Sequence, residues 1–347
     1  MKNEGYYLTG IQKLEKTEMP MPAAADDGVV VKIEYLGVCG SDIHMFHDDF
    51  GCLRDVERTV PIKIGHECAG TIVEVGKHVR HVKIGDRVAV EPGVPCGKCE
   101  YCKKGLYNLC PDMRFLGCAP DYEGAMQRYL GYPAEMVYKL PENVSTMEGA
   151  LVEPLCVGLH ATALSGIGLG DTAVIVGTGC IGLATLLACK ARGVSRIVVI
   201  DIFDNRLTKA AELGAEKAFN SRNCDVVKEV INYLGYEPQY IFETAGNASV
   251  VDTCIKLAGN GGVITFVGNI PQPAAVVFGD LAAKEITIRT VFRYRNLYPT
   301  AIQAMSGGFI NLKQIVNKEF RFDEMQHAIE ECDANRQEIV KAVVRYD

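Results

Sequence analysis

This chain of 347 residues lacks both a surplus of basic residues and an apolar segment at its N-terminus. Lysine and arginine number 36 against 43 aspartate and glutamate residues, which gives a formal net charge of −7. Such a balance argues against nucleic acid and against an anionic membrane surface as partners. Because the N-terminus has no apolar core of a secretory signal, we expect a cytoplasmic protein in a reducing compartment.

Internal repeats and uninterrupted apolar runs are absent as well. The uncharged stretch at 172–189 contains three glycines, and it fits a strand followed by a helix better than a membrane span. The length and the 48% hydrophobic content are those of a globular protein with about two domains. These absences exclude disordered, fibrous and membrane-spanning classes.

The predicted secondary structure of the chain changes near residue 154. Before it, short β-branched runs separated by glycine, aspartate and proline predict a β-rich domain. After it, apolar strands alternate with helical segments, which predicts a parallel sheet with helices on both faces. The predicted strands lie at 173–177, 196–201, 240–244 and 262–268. We therefore predict an α/β fold, with a β-rich domain and a doubly wound domain.

A glycine-rich turn follows the first strand of the second domain. Gly177, Gly179 and Gly182 form a G-x-G-x-x-G motif that opens a helix, and Asp201 ends the next strand. In this context the motif predicts a dinucleotide site, because the glycines allow close backbone approach and the helix N-terminus favours the pyrophosphate. Asp201 favours NAD over NADP, although a nearby Arg206 can pair with a 2′-phosphate. An ordinary glycine turn capped by an aspartate is the alternative.

The fourteen cysteines of a chain in a reducing compartment are packed thiols, metal ligands or both. Four of them share one loop with the spacing C-x2-C-x2-C-x7-C, namely Cys96, Cys99, Cys102 and Cys110. Four thiolates close a tetrahedral shell around zinc, so the loop predicts a structural zinc site. An iron–sulfur cluster is the alternative, since Pro111 follows the last cysteine, but the spacing is not that of ferredoxins.

A second set of metal-ligand side chains is spread over three short motifs. The motifs are GVCGSDIH (37–44), GHE (65–67) and VEP (152–154), and their candidate ligands are Cys39, His66, Glu67 and Glu153. Cysteine, histidine and carboxylate are the ligand types of a catalytic zinc, which keeps one position open. Spacing alone does not show that these residues meet, and each of them has an ordinary structural explanation.

Taken in order, these motifs resemble the medium-chain zinc-dependent dehydrogenases. The matching segments are GVCGSDIH, GHECAG (65–70), GDRV (85–88), the four-cysteine loop, EPLCVGLHA (153–161) and GTGCIG (177–182). EPLCVGLHA and VFRY (291–294) resemble the polyol branch, which contains sorbitol and xylitol dehydrogenases. The resemblance implies a GroES-like catalytic domain at 1–153, a Rossmann NAD-binding domain at 154–294 and a C-terminal return to the catalytic domain at 295–347.

The resemblance also implies ligands for a catalytic zinc. Cys39, His66 and Glu67 would bind the metal, and Glu153 would hold the zinc-bound water or the substrate. Related branches exchange the two carboxylates, so both remain candidate ligands. Further cofactor contacts are expected at Cys180, Ile181, Val267, Val291 and Phe292.

Substrate contacts and a proton path are implied in the same way. Ser41 matches the hydroxyl next to the substrate oxygen, and His44 matches an outward relay. Arg293 and Tyr294 match residues that contact polyol hydroxyls. Met45 stands where animal sorbitol dehydrogenases carry tyrosine, which leaves the exact sugar alcohol open.

The predicted activity is hydride transfer from a secondary hydroxyl of a polyol to NAD, giving the ketose. The alternatives are the same chemistry on 2,3-butanediol, threonine or a phosphorylated polyol of the galactitol phosphate type. A phosphorylated substrate requires a basic cluster, and the candidate residues for it are Arg293 and Arg295. A sensor or quinone reductase without catalytic metal, or a crystallin-like structural protein, belongs to a different class. We expect a homo-tetramer or homo-dimer, paired through an edge strand near 285–291.

Overall fold

The computed structural model describes residues 2–51, 53, 62–118 and 122–347. Within them the chain forms two compact units. The first unit comprises Met1–Glu153, Tyr298–Ser306 and Val316–Asp347, and the second comprises Pro154–Leu297 and Gly307–Ile315. The chain thus returns to the first unit at Tyr298 and leaves it once more before its C-terminus.

The strands, in chain order, are β1 (Asn3–Gly10), β2 (Lys13–Met19), β3 (Gly28–Gly37), β4 (Glu67–Val75), β5 (Arg87–Val90), β6 (Gly93–Val94), β7 (Arg114–Phe115), β8 (Tyr129–Pro133), β9 (Val137–Lys139), β10 (Thr172–Val176), β11 (Arg196–Asp201), β12 (Lys217–Asn220), β13 (Tyr240–Glu243), β14 (Val263–Phe266), β15 (Thr287–Thr290), β16 (Lys318–Arg321) and β17 (Ala342–Arg345).

The α-helices are α1 (Gly40–Phe46), α2 (Glu100–Lys103), α3 (Thr146–Ala150), α4 (Val152–Ser165), α5 (Cys180–Ala191), α6 (Asp204–Glu212), α7 (Val226–Leu234), α8 (Val251–Leu257), α9 (Phe278–Ala283), α10 (Tyr298–Ser306) and α11 (Met325–Ala334). Short 3-10 helices lie at Tyr107–Leu109, Ala134–Met136, Ala248–Val250, Leu312–Ile315 and Phe322–Glu324. Among the described residues, no helix has the length and apolar content needed to cross a membrane.

The first unit is built on a mixed sheet with the order β16-β17-β3-β4-β5-β9, and β8 also pairs with β3. Its core is formed by apolar side chains, with Leu36, Ile72 and Val88 fully buried. The last strand, β17, runs antiparallel to β3 and places Val343 opposite Gly37. The C-terminus of the chain therefore lies beside the segment that leads into the motif at 37–44.

The second unit is a six-stranded sheet in which every strand pair is parallel, with the order β12-β11-β10-β13-β14-β15. The residues of β10 after Thr172 and the interior residues of β11 are apolar and buried, as expected for strands covered by helices on both faces of the sheet. The predicted α/β class with a doubly wound sheet is confirmed. The sequence did not reveal β12 or α7. The segment KAFN at 217–220 is short and only partly buried, so its apolar residues show no clear periodicity.

Helices α4 and α5 pack closely at a glycine of the EPLCVGLHA motif. A Cβ atom added to Gly158 would lie 2.7 Å from the carbonyl carbon of Ala184. Gly168, in the same unit, has open space around the corresponding position. The two glycines therefore differ in how much an added methyl group disturbs the packing.

We expect Gly158→Ala to destabilise the protein by roughly 1–3 kcal/mol, because the helices must separate to admit the methyl group. Thermal unfolding of purified protein measures this effect. Gly168→Ala is the matched control and should melt within about a degree or two of the wild type. Equal melting temperatures for Gly158→Ala and the wild type would contradict the close packing.

Candidate functional site

Two segments of the first unit are held side by side by one buried carboxylate. Cys39 is the N-cap of α1, and its amide donates to Asp42 Oδ2 at 2.9 Å. The other oxygen, Oδ1, accepts the amide of Gly65 at 3.2 Å. Asp42 is fully buried. This aspartate therefore connects the start of α1 to the residue immediately before His66.

Cys39, His66 and Glu67 meet in space. One ligand atom from each lies within 4.8 Å of the others. His66 Nδ1 lies 3.5 Å from Asp42 Oδ1, so this carboxylate orients the imidazole ring from behind. Glu153 is buried in the first turn of α4, and it is not part of this three-residue group.

The charges of this group fit a divalent cation. Burial raises the pKa of the Cys39 thiol, and the nearby Glu67 raises it further. Burial opposes protonation of His66, but Cys118, Asp42 and Cys39 outweigh this effect and raise the pKa of the ring. The carboxylates of Glu67 and Asp42 contribute to these two raised pKa values, and a cation bound by Cys39 and His66 would interact favourably with both carboxylates. Sulfur, nitrogen and carboxylate oxygen together are ligands that zinc accepts.

Lys341 is a neighbour of this group that the sequence gave no reason to expect. Its Nζ atom donates to the carbonyl of Val38 at 2.8 Å and forms an ion pair with Glu67. The side chains of Lys341 and Glu67 are 2% and 1% exposed. On the same side, a Cβ atom on Gly37 would lie 2.1 Å from Glu67 Oε2. Glu67 is thus enclosed by a glycine and a buried lysine.

Ser41 and His44 lie three residues apart on α1, which places them on one face of the helix. Ser41 Oγ lies 3.4 Å from His66 Nε2. His44 is partly exposed, and its Nδ1 lies 2.6 Å from Asp49 Oδ2. Because a carboxylate accepts, Nδ1 carries the proton and Nε2 remains an acceptor. The sequence did not indicate Asp49, whose position depends on how α1 ends.

The four-cysteine loop also forms a compact group. Its four sulfur atoms lie within 4.8 Å of one another, with Cys99 and Cys102 at 3.4 Å and Cys96 and Cys102 at 4.0 Å. A tetrahedral zinc site with bonds of about 2.3 Å has sulfur separations close to these. Amides of Lys98 and Cys99 lower the pKa of Cys96 to about 7, which favours the thiolate. The arrangement fits a closed metal site.

The glycine-rich turn lies at the carboxyl end of β10, as predicted for a dinucleotide site. Gly177 has φ +97°, and a Cβ atom there would lie 2.7 Å from the amide nitrogen of Ala245. Gly179 is the N-cap of α5, and Cys180 and Ile181 are its first two residues. In such folds the pyrophosphate of a dinucleotide binds at a helix N-terminus in this position.

Asp201 lies at the carboxyl end of β11 with its carboxylate held by backbone and hydroxyl donors. Oδ2 accepts the amide and the hydroxyl of Thr178 at 2.6 and 2.9 Å. Oδ1 accepts the amides of Ile202 and Phe203 at 2.7 and 3.0 Å. A Cβ atom on Gly179 would lie 3.7 Å from Arg206 Nη1. A fixed negative charge and a guanidinium therefore lie beside the glycine turn.

The other residues of the second unit that were predicted to contact the cofactor or the substrate lie just after the carboxyl ends of β14 and β15. Val267 donates its amide to the carbonyl of Glu243 at 2.8 Å. Val291 donates to Phe266 at 2.9 Å, and Phe292 is 54% exposed. The next two residues are Arg293, which has φ +55°, and Tyr294, which is buried.

The left-handed backbone at Arg293 is strained for a residue with a side chain, and such strain is common at functional sites. Arg293 and Tyr294 belong to the second unit, whereas Ser41, His44 and the three metal-ligand residues belong to the first. In the second unit the predicted residues lie at or just after the carboxyl ends of β10, β11, β14 and β15, and in the first unit Cys39 follows β3 while His66 precedes β4.

We expect Lys341→Met to lower the stability of the metal-free protein by roughly 3–5 kcal/mol, because Glu67 then remains buried without its cation. Bound zinc would compensate part of this charge, so the loss should be smaller in the zinc-loaded protein. Thermal unfolding with and without a chelator measures both values. Lys318, which pairs with Glu331 at 3.7 Å on the surface, provides the control Lys318→Met. Equal losses with and without zinc would contradict this account of the pair.

Comparison with known proteins agrees with this geometry. Residues 25–142 match the alcohol dehydrogenase GroES-like domain family, and residues 180–307 match the zinc-binding dehydrogenase family. The chain is 42% identical to the uncharacterised zinc-type alcohol dehydrogenase-like protein YdjJ of Escherichia coli, with 99% of both chains covered. It is 38% identical to sorbitol dehydrogenase of Rattus norvegicus, covering 90% of this chain and 87% of the rat protein.

A solved structure gives the same result. An Escherichia coli oxidoreductase/dehydrogenase of unknown specificity superposes with a TM-score of 0.96 at 41% identity, over 100% of both chains. The two family matches indicate the same family as the relatives of nearly equal length and the solved structure with the shared fold. The chain belongs to the medium-chain zinc-binding dehydrogenases, in the polyol dehydrogenase branch.

Proposed function

We propose that this protein oxidises a secondary hydroxyl of a sorbitol- or xylitol-type polyol to the ketose, with NAD as the acceptor of the hydride. The observation that carries the proposal is the group of Cys39, His66 and Glu67, the last two buried, with the Ser41 hydroxyl beside His66. These residue types can hold a catalytic zinc and a proton acceptor at the same point.

In this proposal Cys39, His66 and Glu67 hold the catalytic zinc, and Glu153 orients water or substrate next to it. The four thiols of the cysteine loop hold a structural zinc. When bound, the catalytic zinc acts as a Lewis acid that lowers the pKa of a substrate hydroxyl, and NAD accepts the hydride. Asp42 keeps the His66 ring oriented, and Lys341 keeps Glu67 in place.

The proton leaves along α1. Ser41 Oγ accepts it from the substrate hydroxyl and passes it to His44 Nε2, directly or through water. Asp49, bonded to Nδ1, stabilises the positive charge that His44 then carries. Because His44 is partly exposed, it can release the proton to solvent.

Arg293 and Tyr294 orient neighbouring hydroxyls of the polyol. The strained left-handed backbone of Arg293 supports a binding role for this segment, since such strain clusters at ligand-binding sites. A polar pocket rejects analogues that lack the matching hydroxyls, because its own groups would stay unpaired. Arg295 lies near His160, where its charge adds to burial in lowering the pKa of that histidine to about 4. This second arginine is the feature that would suit a phosphorylated polyol.

Self-association through β15 is part of the proposal. This strand ends the sheet of the second unit, and all four of its residues are exposed. Val277 and Phe278 of the same unit are 62% and 78% exposed. An unpaired edge beside exposed apolar side chains supports a homo-dimer or homo-tetramer.

The proposal is tested by NAD reduction with the zinc-loaded protein and a panel of substrates. Xylitol, sorbitol and ribitol should be turned over, and 2,3-butanediol, threonine and galactitol phosphate should be poor substrates. Ser41→Ala should lower kcat by about 100-fold with unchanged zinc content, because the proton acceptor is lost. Ser306→Ala, which removes an exposed hydroxyl bonded to Asn143 at 2.9 Å, is the control. Turnover of butanediol, threonine or the phosphate alone would overturn the polyol assignment.

Asp201 provides a separate test of the cofactor. Two guanidinium carbons, of Arg206 and Arg222, lie 5.2 Å from the ring centroid of Phe203, close to this carboxylate. Asp201→Ser should raise the affinity for NADPH relative to NADH by about tenfold or more, since repulsion is removed while the arginines stay. Asp204→Ser changes an exposed carboxylate three residues away and should leave the ratio unaltered. An unchanged ratio in Asp201→Ser would show that this carboxylate does not select the cofactor.

A further inference from the structure

A buried carboxylate lies at the point where the strand order of the second unit reverses. The chain passes from β10 outward through β11 and β12, and it then returns to β13 on the other side of β10. Dinucleotides bind at the carboxyl ends of the strands beside such a reversal. Glu243 is the last residue of β13, and it is completely buried there.

Glu243 joins the two loops that follow β13 and β14. Its Oε1 accepts the amide of Gly246 at 2.7 Å, and its backbone carbonyl accepts the amides of Val267 and Gly268 at 2.8 and 3.1 Å. A Cβ atom on Gly268 would lie 2.3 Å from the Gly246 nitrogen and 2.7 Å from Glu243 Oε2. The two loops are therefore in direct contact, and the carboxylate lies at that contact.

The same turn is tied to the glycine motif. Thr244 donates its amide to Val176 at 2.9 Å and its hydroxyl to the carbonyl of Gly177 at 2.7 Å. A Cβ atom on Gly182 would lie 2.9 Å from Thr244 Oγ1. The loop after β13 thus bridges the glycine turn, on one side, and the loop that carries Val267, on the other.

Burying a carboxylate costs free energy, and capping one turn does not by itself require a charged group. Burial raises the pKa of Glu243, and the amides of Gly246 and its neighbours only partly offset this. A neutral acceptor would satisfy the same amide without the penalty of removing a charge from water. Glu243 therefore does more than cap Gly246: its side-chain and backbone oxygens together hold amides of both loops at fixed positions around the crevice.

We propose that Glu243 is a positioning residue for the nicotinamide half of the dinucleotide. This inference rests on the proposed function. Glu243 holds the loops after β13 and β14 together, so that the backbone at Val267 keeps the shape that the nicotinamide riboside requires. The adenosine half depends instead on the glycine turn and Asp201, at β10 and β11, which Thr244 and Thr178 hold through hydrogen bonds of their own.

The two halves can be tested with two ligands, NADH and AMP, on the zinc-loaded protein. Glu243→Ala should weaken NADH binding by about tenfold or more and leave AMP binding within about twofold. Glu243→Gln keeps an oxygen that accepts the Gly246 amide, so it should restore most of the NADH affinity. The control is Asp171→Asn, whose carboxylate accepts the backbone amide of Gly168 at 2.9 Å at the opposite end of β10. Its affinities should match the wild type.

Calorimetric titration gives both affinities, and thermal unfolding checks that each variant is folded. Equal losses of NADH and AMP binding would overturn the inference, since Glu243 would then support the whole unit. Unchanged NADH affinity in Glu243→Ala would overturn it too. If the alanine variant does not fold, Glu243→Asp shortens the reach by one methylene group and should reproduce the selective loss. Failure of the wild type to bind NADH or NADPH would instead overturn the proposed function.

Discussion

Glu67 carries a carboxylate into a buried part of the first unit, where its charge needs a positive partner. Lys341, the residue immediately before β17, forms an ion pair with it, and a metal ion held by Cys39, His66 and Glu67 would add further positive charge. A buried charge without such partners is strongly destabilising. The pairing of β17 with β3 is therefore part of the metal site, because it brings Lys341 to Glu67.

A second buried carboxylate, that of Asp42, is likewise held by partners from separate segments of the chain. Asp42 accepts amides from both segments that carry ligands, and it contacts the ring of His66. A ligand set held by a second layer of bonds is already oriented before the metal enters, so less order must be created on binding. In the second unit Asp201 and Glu243 have comparable surroundings, since backbone amides hold both carboxylates at the carboxyl ends of β11 and β13, the two strands that flank β10.

The sequence predicted those sites correctly whose residues lie close together in the chain. The four cysteines close within one loop, and the glycine turn lies between one strand and the next helix, so neither requires knowledge of the rest of the fold. The strands of the second unit were found because both faces are buried and their residues are continuously apolar. β12 and α7 were missed because KAFN is short and partly exposed. Spacing alone also could not group Cys39 with His66, since the pairing of β3 with β4 decides that contact.

By itself the sequence determined the α/β class, the dinucleotide turn and the thiol cluster, because short-range backbone geometry and ligand spacing are written in neighbouring residues. Only the tertiary structure decided that Glu67 joins Cys39 and His66 while Glu153 lies outside that group. It alone placed Lys341 against Glu67 and the Glu243 carboxylate between two loops. These contacts join residues far apart in the chain, and they form because a buried charge must find its partner wherever the packed strands bring one close.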